Sequence, residues 1–145
     1  MIQIFVYGTL KPGEAYFSTF CEPYVTAAVP AIAQGDLWHL PQGYPAMTAG
    51  DRWVTGTLLT LGDEAAIAPL DEFEDYDPAR PAPENQYVRH LRPVFDLAHH
   101  PQGEAWLYLM ARDRVQQYQG ILIPAGVWSR QQWPSIAPTA PPEIA

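Results

Sequence analysis

Apolar and polar positions along the chain divide it into short runs that mostly alternate, separated by proline, glycine and acidic residues. The first run, Ile2–Tyr7, is apolar on both alternating sets, Ile2/Ile4/Val6 and Phe5/Tyr7, which predicts a first strand buried on both faces. It ends abruptly in Gly8-Thr9-Leu10-Lys11-Pro12-Gly13, the composition of a strand running into a loop. Ala15, Tyr16, Phe17 and Phe20 fall near helical spacing, so a short helix is expected over Glu14–Phe20, bounded by Pro12 and Pro23. A second strand is expected over Ala31–Leu40, a short extended piece over Tyr44–Met47, a turn at Gly50-Asp51, and a third strand over Trp53–Leu61. Gly56 inside that strand implies a bulge or the close approach of another backbone.

Asp63–Glu74 is the principal helix. Asp63 suits a cap, Glu64 suits the first turn, and Ile67, Leu70 and Phe73 form one apolar stripe. Pro69 is expected to divide it, with a second piece starting at the proline. Asp75–Gln86, holding Pro78, Pro81 and Pro83, reads as a long exposed loop. Tyr87–Asp96 and Glu104–Met110 read as an antiparallel hairpin joined by a turn that carries His99 and His100. Ile121–Trp128 offers a last short strand and turn, and the proline-rich stretch from Pro134 a loosely held tail. About five strands with one main helix make an α+β domain on a mostly antiparallel, barrel-like sheet. One domain over residues 1–133 and a tail over 134–145 are expected.

Composition narrows the function. With 145 residues, 48% of them hydrophobic and 17% charged, the chain is long enough for one globular core. Its net charge of −8 repels phosphate backbones and argues against a nucleic-acid partner. No apolar run approaches a membrane span or a signal peptide, so a cytoplasmic protein without a membrane partner is expected. The single cysteine, Cys21, fits a reducing compartment and reads as a packed residue rather than a nucleophile. The phosphate-loop, dinucleotide and Gly-x-Ser-x-Gly signatures are missing, and His39, His90, His99 and His100 form no metal-ligand pattern, so neither cofactor nor metal is expected.

The acidic cluster Asp71, Glu72, Glu74, Asp75 and Asp77 is the best candidate for chemistry. Most such runs are solvated helix ends. On a helix, however, Glu74 follows Leu70 by four residues and Asp71 follows Ile67 by four, so both border the apolar stripe. A carboxylate held beside apolar neighbours is harder to ionise and becomes a better general base. Geometry alone leaves Glu74 and Asp71 as equal candidates.

Taken together, Tyr7-Gly8-Thr9-Leu10 near the start and Leu70-Asp71-x-x-Glu74 on the later helix resemble the γ-glutamylcyclotransferase-like family, in particular its branch of γ-glutamylamine cyclotransferases and AIG2-like proteins. Gly43-x-Pro45-Ala46, Val54-x-Gly56, Tyr87-x-Arg89, Ala105-Trp106-x-Tyr108 and Ile123-x-x-Gly126-x-Trp128 resemble further family segments, so the likeness spans roughly residues 2–128. Many members have glycine directly after the glutamate, where this chain has Asp75.

The resemblance implies a small mixed sheet partly closed into a barrel. It implies an enzyme that converts a γ-glutamyl amide or amine into 5-oxoproline and a free amine, without a cofactor. It implies Glu74 as the catalytic residue and Tyr7, Gly8, Thr9 and Leu10 as the loop that holds the glutamyl end. Tyr108 is a further candidate for the pocket wall, with a core tyrosine as the alternative. The expected partner is a small γ-glutamyl substrate, and the expected state a monomer or weak homodimer. The alternative function is a non-catalytic binding or regulatory domain that keeps the same pocket.

Overall fold

The computed structural model describes residues 1–133. The expected tail, residues 134–145, lies outside them. Among the described residues there are six strands: β1 (Ile2–Val6), β2 (Val25–Leu40), β3 (Tyr44–Leu61), β4 (Val88–Phe95), β5 (Pro101–Leu109) and β6 (Ile121–Leu122). Three short helices join them: α1 (Phe17–Phe20), α2 (Ile67–Phe73) and α3 (Arg112–Gln117). None of these helices is long and apolar enough to cross a membrane.

The sheet runs β3-β1-β5-β4-β2-β6, and β2 also pairs with β3, so five strands form a ring with β6 added outside. All pairings are antiparallel except β1 with β5. Two seams are thin. β1 meets β5 at Ile4 and Trp106, and β2 meets β4 at Ile32 and Phe95. The barrel is therefore partly closed, as expected. Ile4, Phe5 and Val6 are all buried, which is the two-sided burial the first run implied.

The long hairpin of β2 and β3 differs from expectation. The strand over Ala31–Leu40 extends back to Val25, and Pro30 pairs with Thr57. The turn expected at Gly50-Asp51 is continuous strand, so Tyr44–Met47 and Trp53–Leu61 are one element. The pairing shifts register at the same place, from Gln34 opposite Trp53 to Asp36 opposite Thr48, so Gly50-Asp51 lies in an irregular stretch of β3 with no partner in β2. Gly35 sits in that shift, where a Cβ would lie 2.6 Å from Met47 Cε and 2.7 Å from the Thr48 carbonyl. Gly56 marks a close approach rather than a bulge, since a Cβ there would stand 2.2 Å from the Val6 carbonyl.

The principal helix is divided, but earlier than expected. Asp63 accepts from the Ala65 amide at 2.9 Å and starts a 3-10 turn over Glu64–Ala66, and α2 begins at Ile67. Pro69 then lies in the first turn of α2, where an amide has no helical partner to lose. The loop after it is less exposed than expected. It carries a 3-10 turn over Ala82–Glu84, and Asn85 and Gln86 are buried. The helix α3 has no counterpart in the sequence reading, and the last strand is reduced to Ile121–Leu122.

Candidate active site

Two distant stretches meet on one side of the barrel. Tyr7, Thr9 and Leu10, which follow β1, are buried. The Gly8 carbonyl accepts from the Lys11 amide at 3.0 Å and the Thr9 carbonyl from the Tyr16 amide at 2.9 Å, which folds the loop back on itself. That return places Tyr16 and Phe20 against Phe73, with ring centroids 5.0 and 4.5 Å apart. Phe73 is the last residue of α2, so this aromatic cluster docks the helix end beside the N-terminal loop.

Glu74 caps α2, its amide bonded to the Leu70 carbonyl at 2.9 Å, and its residue surface is 0% exposed. Its carboxylate reaches three groups electrostatically. Burial first, and the Glu74 charge second, raise the Tyr7 phenol well above the ordinary tyrosine range. The same two causes push the Cys21 thiol up to about 12, so Cys21 is a packed thiol rather than a thiolate. Burial, then Asp71, then Glu74 raise the Tyr108 phenol. The Glu74 charge is thus felt by Tyr7, Cys21 and Tyr108.

Asp71 has another role. Arg89 Nε and Nη2 donate to its two oxygens at 2.9 and 3.1 Å, and the Tyr108 hydroxyl donates to Oδ1 at 2.7 Å. The Arg89 guanidinium also lies over the Trp106 ring, 4.5 Å from its centroid. Of the two carboxylates that sequence geometry left equal, Asp71 is engaged in an ion pair and Glu74 is the one enclosed. Glu72 is exposed.

The two tyrosines are linked. The Tyr7 hydroxyl donates to the Tyr108 carbonyl at 2.6 Å and accepts from the Met47 amide at 3.3 Å. Tyr108 is buried, with its hydroxyl on Asp71 and its carbonyl on Tyr7. Sequence reasoning missed Arg89 and Met47 as supports of this cluster. The Arg89 contribution was open to detection, because it pairs in register with Tyr108 across β4 and β5.

Asp75 follows Glu74 with φ of 54°, in the left-handed region. This explains how aspartate stands where many members carry glycine, since Asp tolerates that conformation better than most residues. Arg80 bonds the Asp75 carbonyl at 2.8 Å and its carboxylate at 3.2 Å, and the Gln86 amide donates to the same carbonyl. The long loop is thereby tied at both ends beside Glu74.

On the far side of the N-terminal loop, Lys11 Nζ donates to the Trp128 carbonyl, and Trp128 Nε1 donates to His39 Nδ1 at 3.1 Å. Burial, and after it the Arg130 charge, lower the His39 pKa below the ordinary histidine range, which favours a neutral ring able to accept that bond.

Comparison with known proteins agrees with this architecture. An AIG2-like protein from Mus musculus superimposes with a TM-score of 0.67 at 22% identity, over 90% of each chain. Protein ytfP from Escherichia coli matches at 27% identity with a TM-score of 0.52, over 90% of this chain and 99% of its own. An Arabidopsis thaliana protein matches at 18% identity with a TM-score of 0.61, over 91% of this chain and 79% of its own. No curated protein sequence matches the chain. The family profile described as gamma-glutamyl cyclotransferase, AIG2-like, matches residues 4–130, covering the end of β1, the Tyr7–Leu10 loop, α2 and Glu74, and the chain belongs to that family.

Proposed function

We propose that the protein is a γ-glutamyl cyclotransferase that releases 5-oxoproline and a free amine from a γ-glutamyl amine or amide, with Glu74 as the proton carrier. The reading rests on one observation above the others: the Glu74 carboxylate is enclosed at the end of α2, where its charge acts on Tyr7 of the N-terminal loop.

The substrate carries its own nucleophile. Its α-amine attacks its γ-carbonyl carbon, and the bond from that carbon to the leaving nitrogen breaks. Tethered attack in a well-placed conformer lowers the barrier by several kcal/mol, on the order of 7–11 at best. An α-ammonium group has a pKa of about 8, so the amine must lose a proton before it attacks. Glu74 takes that proton and returns it to the departing nitrogen; the second proton, shed by the attacking nitrogen as the lactam forms, goes to the released amine, which leaves as its ammonium. The loop amides of Gly8, Thr9 and Leu10 receive the oxyanion that develops on the γ-carbonyl oxygen. No serine or cysteine nucleophile is needed, in keeping with the raised Cys21 thiol.

Incubation with a panel of γ-glutamyl amines and γ-glutamyl dipeptides, with 5-oxoproline as the readout, tests the proposal. Product from the parent and none from a folded Glu74→Gln variant is expected. Silence of the parent across the panel would sink it and leave the non-catalytic binding domain.

A further inference from the structure

The β4–β5 hairpin has a second face. Residues paired in register share a face, and neighbours along a strand alternate. Arg89 and Tyr108 pair, and both turn toward Asp71. Val88 with Leu109, His90 with Leu107, and Arg92 with Ala105 therefore occupy the opposite face. There a groove of about 660 Å³ opens, with Val88, Leu109 and Met110 among its apolar lining. None of Tyr7, Gly8, Thr9, Leu10 or Glu74 lines it.

The charge of this groove runs against that of the protein. Of 8 basic residues in a chain of net charge −8, Arg92, Arg112 and Arg114 line it, and Asp113 is its single acidic residue. Arg112 is matched by Asp36, at 2.6 Å. Arg92 and Arg114 form no ion pair among the described residues. Among the described residues Arg92 bonds only its neighbours, the Leu91 carbonyl and the His90 ring. Arg114 Nη2 bonds the Pro83 carbonyl at 2.8 Å, and the Tyr118 hydroxyl bonds Gln86 at 2.9 Å. Those two bonds pin the end of the 75–86 loop to the region of α3, so the wall of the groove is built and held.

We propose that this groove is a binding site for a small organic anion. Its carboxylate or phosphate head lies between Arg92 and Arg114, and its apolar body lies on Val88, Leu109 and Met110. The volume falls in the range of small-molecule sites, about 300–1,000 Å³. Guanidinium groups present forked donors that match carboxylate and phosphate oxygens. The apolar lining adds affinity for an anion that carries an apolar body over its head group alone, and the net negative charge of the chain selects against nucleic acid.

Titration of the full chain with anilinonaphthalene sulfonate, which joins an anionic head to an aromatic body, tests this at low ionic strength. The expected result is a saturable single-site fluorescence rise, with amide NMR shifts centred on Val88, Leu109 and Ala111. Arg92→Glu should weaken the dye at least about tenfold, and Arg92→Lys much less. Inorganic phosphate should compete, as the head alone. Arg92 is exposed and makes no long-range bond among the described residues, so its variants should keep the parent NMR spectrum away from the groove. Shifts centred elsewhere, an Arg92→Glu variant that titrates like the parent, or dye binding insensitive to phosphate would each overturn the site. Arg92 lies outside the Glu74 cluster, so turnover of γ-glutamyl compounds should be the same in Arg92→Glu, and the two proposals fail separately.

Discussion

Arg89 grips Asp71 at two points, 2.9 Å from Nε to Oδ1 and 3.1 Å from Nη2 to Oδ2, with both side chains more than four-fifths covered. The pair joins β4 to α2 across 18 residues, one turn before Glu74. Asp71 also accepts from the Tyr108 hydroxyl, and the Tyr108 carbonyl accepts from Tyr7. A chain of bonds thus runs from Arg89 through Asp71 and Tyr108 to the start of the N-terminal loop.

That chain predicts coupled losses. A double-mutant cycle with Asp71→Asn and Arg89→Gln should show a coupling energy of about 1–3 kcal/mol in urea unfolding, the range for hydrogen bonds to charged groups. Tyr108→Phe, which removes one of those bonds, should cost about 1–2 kcal/mol. A coupling near zero would mean that the pair does not hold α2 to the sheet.

Glu74 should matter more for turnover than for folding. An enclosed carboxylate is a cost to the fold unless its surroundings compensate, whereas an amide of the same shape carries no charge. Glu74→Gln, which keeps the side chain's size and shape, should still fold cooperatively, while 5-oxoproline release falls at least about a hundredfold, the scale of a general acid–base group. A variant that unfolds more easily and keeps turnover would make Glu74 a structural residue.

Much of the architecture was legible because the apolar alternation of β1, β4 and β5 is strong and their boundaries are marked by turn residues. The α2 stripe was legible too: Leu70 is fully buried and Phe73 packs on the core. The errors have local causes. Pro30 looks like an interruption, yet β2 and β3 pair straight through it, because each long strand is held by its partner rather than by its own propensity, whereas Gly50-Asp51 falls where the pairing jumps from Gln34–Trp53 to Asp36–Thr48 without ending β3. Helix α3 has six residues and a single buried position, Val115, too little for a periodic signal. In the candidate site, the enclosure of Glu74 depends on Phe73 docking against Tyr16 and Phe20, a contact between segments fifty residues apart that no local pattern encodes.

Gly56 tests how tightly β3 backs the start of the site. A methyl group there would stand 2.2 Å from the Val6 carbonyl and 2.9 Å from Phe5 Cζ, closer than any real contact. Gly56→Ala should destabilise the fold by about 2 kcal/mol or more, within or above the usual cost of overpacking. Because Val6 immediately precedes Tyr7, the variant should also lose γ-glutamyl turnover in excess of its unfolded fraction. A soluble variant of parental stability would show that β1 can move away from β3 at no cost.

His39 gives the fold a pH dependence of definite sign. Its pKa is depressed in the folded protein, first by burial and then by Arg130, from an ordinary value of about 6.5. Below that value the unfolded chain binds a proton that the folded chain resists, so stability is complete above about pH 6.5 and is lost as pH falls toward the lower folded pKa. The Trp128 bond works in the same direction, because Nδ1 must stay unprotonated to accept it. Urea midpoints at pH 7.5 and 5.5 should therefore fall for the parent by more than for His39→Gln, the difference isolating His39 from His90, whose pKa is also lowered. Equal falls in the two proteins would remove His39 as a cause, and a parent more stable at pH 5.5 would reverse the sign.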